Sequence, residues 1–215
     1  MARLGGRLPS ASPIMSDAVP YRTLLQTLDR WSDDVRQRHP GVLPCRPGCS
    51  ACCHGPFDIS PLDAALVLTA VRSLPPEHQA EVMAVAQGQV EEMTELEPSW
   101  RSPWDIAALG EERFDALCDA MADKPCPLLD REGQCRIYED RPLVCRVMGV
   151  PMATAHDTLD NACPIIDLHP AYAALAPQPF DLAGFEQDEQ ALAAPTSGQE
   201  TTIAHLVAGS LKEEV

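Results

Sequence analysis

Between positions 45 and 54 the chain reads CRPGCSACCH, four cysteines within nine residues followed by a histidine. No other stretch limits the possible folds as strongly. Thiols this crowded are disulfide partners, a redox couple or ligands for a metal. The chain carries nine cysteines, an odd number that rules out complete internal pairing. Joining the neighbours Cys52 and Cys53 to each other would close a strained ring. The opening, MARLGGRLPSASPIMSDAVP, has basic residues but no continuous apolar stretch of secretory type. A cytoplasmic, reducing location is therefore expected, where structural disulfides are rare. Disulfide scaffolding is the least favoured of the three uses.

Within the first group, Cys49 and Cys52 form a CxxC pair, which lets a tight turn aim two sulfurs at one ion. Cys45 extends this to C-x3-C-x2-C, a spacing found in iron–sulfur sites. Radical-SAM chemistry is set aside, because it needs a larger α/β barrel and this chain shows helices without alternating strands. Adjacent Cys52 and Cys53 point in different directions, so Cys53 reaches a second metal or stands behind the first. A second group follows as Cys126, Cys135, Cys145 and Cys163, with gaps of eight, nine and seventeen residues and no CxxC. Paired zinc knuckles use CxxC twice, so these gaps lean toward an iron–sulfur cluster. Eight thiols suit one or two soft-metal sites of four ligands each. Cys118 falls alone at a core spacing in EERFDALCDAMAD and reads as a small buried hydrophobe. His54 is a possible substitute ligand, and the remaining histidines are scattered.

Arg46, Arg136, Arg141 and Arg146 stand beside cysteines in a chain of net charge −16. Neutralising thiolates is one role for them; pairing with Glu139, Asp140 or Asp130 at the surface is the other. CRPGCSACC followed by CPLLDREGQCRIYEDRPLVCR resembles the CxxCxxCC cysteine-cluster family, the YkgJ-like proteins. The resemblance rests on residues 45–57 and 126–147, with a helical spacer between. It implies zinc or iron chelation by Cys45, Cys49, Cys52, Cys53, Cys126, Cys135 and Cys145, with Cys163 of NACP as an eighth ligand. The first gap here is three residues where the family has two. Tyr138, Arg141 and Arg146 match its C-x-I-Y-x-x-R-P-x-x-C-R signature and are expected around the bound group, where they donate hydrogen bonds to sulfur or serve only the fold. The family implies no defined reaction.

The fold class expected is mostly α, a small metal-stapled domain with long cysteine-bearing loops and at most a short β-hairpin. YRTLLQTLDRWSDDVRQRH places Leu24, Leu25, Leu28, Trp31 and Val35 at helical spacing, ended by Pro40 and Gly41. Ser60, Pro61 and Asp63 form a strong helix start, and Pro76 begins another. Gly133 marks a turn between two short extended pieces, and Pro142 a further helix start. Residues 1–19 read as a disordered leader, with Met15 as a possible true start. Residues 20–169 read as the helical cysteine-cluster domain. Residues 170–215 read as a loosely packed tail with one or two short helices, near 181–193 and in TTIAHLVAGSLKEE.

The acidic charge argues against nucleic acid or an anionic membrane as partner, and no apolar run reaches the roughly 20 residues of a membrane span. The leading expectation is a metal-binding cysteine-cluster protein carrying iron–sulfur or zinc through up to eight thiolates. The alternative is an iron–sulfur enzyme acting in redox chemistry or on a peptide side chain; seven or fewer sulfurs at the site would favour it, since a coordination position would then stay open. A CxxC redox couple lacks its βαβ setting, and metal delivery to a protein client names no client.

Overall fold

The computed structural model describes residues 14–46, 48–159, 163–193 and 198–210. Most of the expected leader, residues 1–13, lies outside that range. The described chain forms α1 (Ile14–Arg38), α2 (Pro61–Arg72), α3 (Pro76–Leu96), α4 (Ile106–Leu109), α5 (Glu111–Ala120), α6 (Leu143–Val147), α7 (Pro170–Ala173), α8 (Leu182–Ala193) and α9 (Ile203–Ser210). The architecture is mostly α, as the periodicity predicts. α1 already begins at Ile14, inside the segment expected to be a disordered leader.

The strands are two residues each: β1 (Asp58–Ile59), β2 (Met152–Ala153), β3 (Thr158–Leu159), β4 (Gln178–Pro179) and β5 (Thr201–Thr202). β1 pairs antiparallel with β5, setting Asp58 opposite Thr202 and Ile59 opposite Thr201. β2 pairs antiparallel with β3 and parallel with β4. The extended pieces expected around Gly133 meet in only one bridge, Leu129 with Cys135. The Asp130 carboxylate accepts from the Glu132 and Gln134 amides at 3.0 and 2.7 Å, committing this segment to a tight turn.

α2 organises the molecule. Ser60 caps it by accepting the Asp63 amide at 3.1 Å, and Pro61 occupies its first position. One of its faces, Leu62 and Leu66, meets Tyr21, Leu24, Leu25 and Leu28 of α1, Phe185 of α8 and Met152. Its other face, Val67, Ala70 and Val71, enters the larger core with Val82, Ala86 and Met93 of α3, Phe114 and Leu117 of α5, and Val207 of α9. Asp63 is 3% exposed and accepts from the Tyr21 hydroxyl and the Leu143 amide, both at 3.0 Å. That acid fastens α1 and the start of α6 to α2. The helix expected at Pro142 thus begins one residue later, with Pro142 as its cap.

The C-terminal segment departs from the loose tail expected of it. Ile203, Ala204, His205, Val207 and Ala208 of α9 are buried, and α9 packs along α3. TTIAHLVAGS carries no charged residue apart from a titratable histidine, so the helix has no solvent face to keep and goes inside. A helix near 181–193 is present as α8.

Candidate metal centre

The first cysteine group sits on the loop between α1 and β1. The Cys49 amide bonds the Arg46 carbonyl at 2.9 Å and the Cys53 amide the Ser50 carbonyl at 3.0 Å, two successive turns that present the sulfurs. Gly48 and Gly55 hold φ of 86° and 87°, a left-handed backbone that glycine adopts without steric cost. The second group is tied to the first through the main chain. The Cys126 amide bonds the Cys53 carbonyl at 2.8 Å, and the Gly55 amide bonds the Lys124 carbonyl at 2.7 Å. Gln89 of α3 steadies the same segment by donating to the Pro125 carbonyl at 2.7 Å. Cys145 rides on α6, the helix that Asp63 positions.

These connections bring Cys45, Cys49, Cys52, Cys53, Cys126, Cys135 and Cys145 around one cavity of about 90 Å³. Phe57, Leu128 and Ile203 give it an apolar wall. Among its described lining residues there is no Asp, Glu or His, so the side-chain donors are the seven thiols, with the Tyr138 phenol beside them. Cys163 is buried and does not line this cavity; electrostatically it disfavours ionisation of Cys45 and of Tyr172. Cys118 stands apart, its sulfur 3.7 Å from the Pro56 carbonyl. His54 is exposed and turned away from the cavity.

Burial pushes the Cys45 thiol up to about 12, with Cys163, Cys49 and Cys52 adding to the rise and Arg36 opposing it. A hydrogen bond from Cys53 and then burial raise Cys52. Burial likewise takes Cys126 up to about 12, lifts Cys135, and holds Cys145 well above the usual range beside Cys126, Cys135 and Cys52. Thiols that discourage one another's ionisation are reconciled by a soft cation, which holds them as thiolates. The donor set therefore fits zinc or iron. Among the described residues, though, no three His, Cys, Asp or Glu side chains are closed round one point in a metal-holding group. The fold collects the sulfurs without drawing them to ligand distance.

Arg141 favours the Cys135 thiolate electrostatically, as one expected role has it. The ion pairs of the arginines, however, reach carboxylates on separate helices rather than their sequence neighbours. Arg141 and Arg146 line the cavity, but their guanidinium groups end on Asp29 of α1, Arg141 at 2.7 Å. Arg136 points elsewhere and pairs with Glu81 of α3 at 2.5 Å. Asp140 pairs with Arg22 at 2.6 Å rather than with a neighbouring arginine. Arg141 also lies 4.3 Å over the Tyr138 ring and donates to the Tyr138 carbonyl at 2.9 Å. Arg46 lines the cavity from an exposed position.

Three participants have no signal beside the cysteines. Arg36 reaches the site from the last turns of α1, donating to the Cys45 carbonyl at 3.3 Å. Tyr172 is 1% exposed and donates to the Gly149 carbonyl at 2.5 Å. Gly149 holds φ of 84°, and a Cβ placed there would collide with the Cys45 sulfur. A lone tyrosine in the otherwise featureless HPAYAALAP was the one hint available for Tyr172.

A family model, CxxCxxCC, described as "Putative zinc- or iron-chelating domain", matches residues 44–164. That span starts one residue before Cys45, ends one after Cys163, and covers more than half of the chain. No curated protein and no solved structure matches the chain.

Proposed function

From the premise that this chain belongs to the CxxCxxCC family of zinc- or iron-chelating domains, we propose that it binds its metal through the thiolates of Cys45, Cys49, Cys52, Cys53, Cys126, Cys135 and Cys145, together with Cys163. The observation that carries this is that seven thiols, contributed by two distant parts of the chain, line one cavity that holds no carboxylate or imidazole among its described lining residues. A bound soft cation supplies what the thiols lack, a positive charge that keeps them deprotonated and closes the long loops between them. Tyr138, Arg141 and Arg146 serve the site by holding the Cys135–Cys145 segment against α1 through Asp29. The form of the metal is an iron–sulfur cluster or zinc, in a reducing, cytoplasmic setting. Among the described residues no helix is long and apolar enough to cross a membrane.

A second reading, an iron–sulfur enzyme, is favoured by one observation. Seven sulfurs rather than eight share the cavity, and the apolar wall of Phe57, Leu128 and Ile203 leaves room beside them. The test of the first reading is anaerobic purification with elemental analysis and a visible spectrum. Brown protein with labile sulfide identifies an iron–sulfur centre, and colourless protein with stoichiometric zinc identifies a zinc site. Metal-free protein that stays folded with freely titrating thiols overturns chelation altogether.

A further inference from the structure

A second cavity, of about 410 Å³, opens beside α9 and shares no lining residue with the cysteine cavity. That volume falls in the range of small-molecule sites, about 300–1,000 Å³. α2 supplies Ala65 and Leu68 to its wall, the loop before α4 supplies Trp104, β5 supplies Thr201, and α9 supplies His205 and Gly209. Burial keeps His205 neutral near pH 7, so no described lining residue carries a charge. That is notable in a chain of net charge −16.

Two polar groups of the lining lack a partner. Thr201 is 8% exposed, and its hydroxyl is buried without a hydrogen bond. Such a group has given up water and gained nothing in exchange, a cost that a ligand's polar atom removes. His205 adds a directed proton. Its amide donates to the Thr202 hydroxyl oxygen at 3.2 Å, and its Nδ1 lies 2.9 Å from the same oxygen. Thr202 is fully buried, and among the described residues Nδ1 is the acceptor within reach of its hydroxyl proton. Nδ1 therefore accepts, which leaves the imidazole proton on Nε2. Among the described residues His205 hydrogen-bonds only to Thr202, so that proton stays available. Trp104 supplies a flat surface: it is half-buried, and its ring stacks on the imidazole at 4.8 Å. A Cβ at Gly209 would stand 3.8 Å from Trp104 Cζ3, so glycine there leaves the indole uncovered from the α9 side.

We propose that this cavity binds a small, uncharged aromatic molecule bearing a carbonyl oxygen. The ring lies against Trp104, where aromatic contact is favourable. The carbonyl accepts from the Thr201 hydroxyl and from His205 Nε2–H, giving each the partner it lacks. An anionic ligand finds no cation in the described lining, and a cationic one meets the donor proton of His205. The site is independent of the chelating function.

The test is a titration of the full chain with benzamide, read by saturation-transfer NMR. Wild type is expected to bind benzamide saturably, and benzoate at least about tenfold more weakly. Thr201→Val keeps the side chain's shape and removes the unpartnered hydroxyl. It should leave the thermal midpoint unchanged or raised, yet weaken benzamide binding about fivefold. Gly209→Leu fills the space in front of Trp104 and should abolish binding. No saturable binding by wild type up to the solubility of benzamide overturns the proposal, as does unchanged affinity in Thr201→Val. Equal affinity for benzoate overturns the choice of an uncharged ligand. If Gly209→Leu fails to fold, wild type and Thr201→Val still decide the matter.

Discussion

His205 is 2% exposed, stacked on Trp104 at 4.8 Å and met edge-on by Trp100 at 4.6 Å. Its Nδ1 lies 2.9 Å from the Thr202 hydroxyl. Trp104 holds φ of 56°, a left-handed conformation costly for so large a residue, and its stacking on the imidazole compensates. Burial lowers the His205 pKa from 6.5 to about 4. The unfolded chain then binds a proton that the folded chain refuses, so stability falls as pH drops from about 6.5 toward 4 and is fully present above that window. The full shift corresponds to roughly 3 kcal/mol. Urea denaturation of wild type and His205→Gln at pH 7 and pH 4.5 checks this: the wild type should lose about 2 kcal/mol more than the variant. Single residues were legible where type and spacing carry the chemistry. The cysteines announced themselves. Tyr172 and Arg36 did not, because what recruits them is proximity across a folded chain, and nothing local in HPAYAALAP or DDVRQRH encodes it.

At the scale of elements, Asp29 does for α1 what Asp63 does for α2. Its carboxylate takes both Arg141 and Arg146, and the Arg146 side chain is only 1% exposed. A buried guanidinium left without its carboxylate is costly, so Asp29→Ala should destabilise the protein by about 3 kcal/mol in chemical denaturation. Asp33→Ala removes an exposed i, i+3 pair with Arg36 and should leave the midpoint unchanged. The starts of α2 and α3 were readable from Ser60, Pro61 and Pro76, since capping and proline placement are local physics. The carboxylate partners of the arginines were not readable. Sequence neighbours Glu139, Asp140 and Asp130 were the natural candidates, and the fold chose Asp29 and Glu81 from separate helices. The turn at Gly133 was legible for the opposite reason, being local: the main chain joins Asp130 to Gln134 and Arg136 to Leu128, while the Asp130 side chain takes the Glu132 and Gln134 amides.

For the whole molecule, the family match stops at residue 164 while the core does not. Ile203, Ala204, Val207 and Ala208 of α9 complete the cluster around α3, and Phe185 of α8 closes the one around α1. A fragment of residues 44–164 would strip α1 and α8 from one face of α2 and α9 from the core on the other, and should show no cooperative thermal transition by circular dichroism, whereas the full chain should melt in one step. The uncharged helix at the end of the chain was read from sequence as an edge element, because its burial depends on a partner, α3, far away in the chain. β1 adds a consequence in time. It lies three residues beyond Gly55, and its only strand partner among the described residues is β5. During synthesis the cysteine loop emerges long before the strand that pins its exit. Pairing of the loop's exit strand therefore has to wait until residues 201–202 have been made, after all nine cysteines.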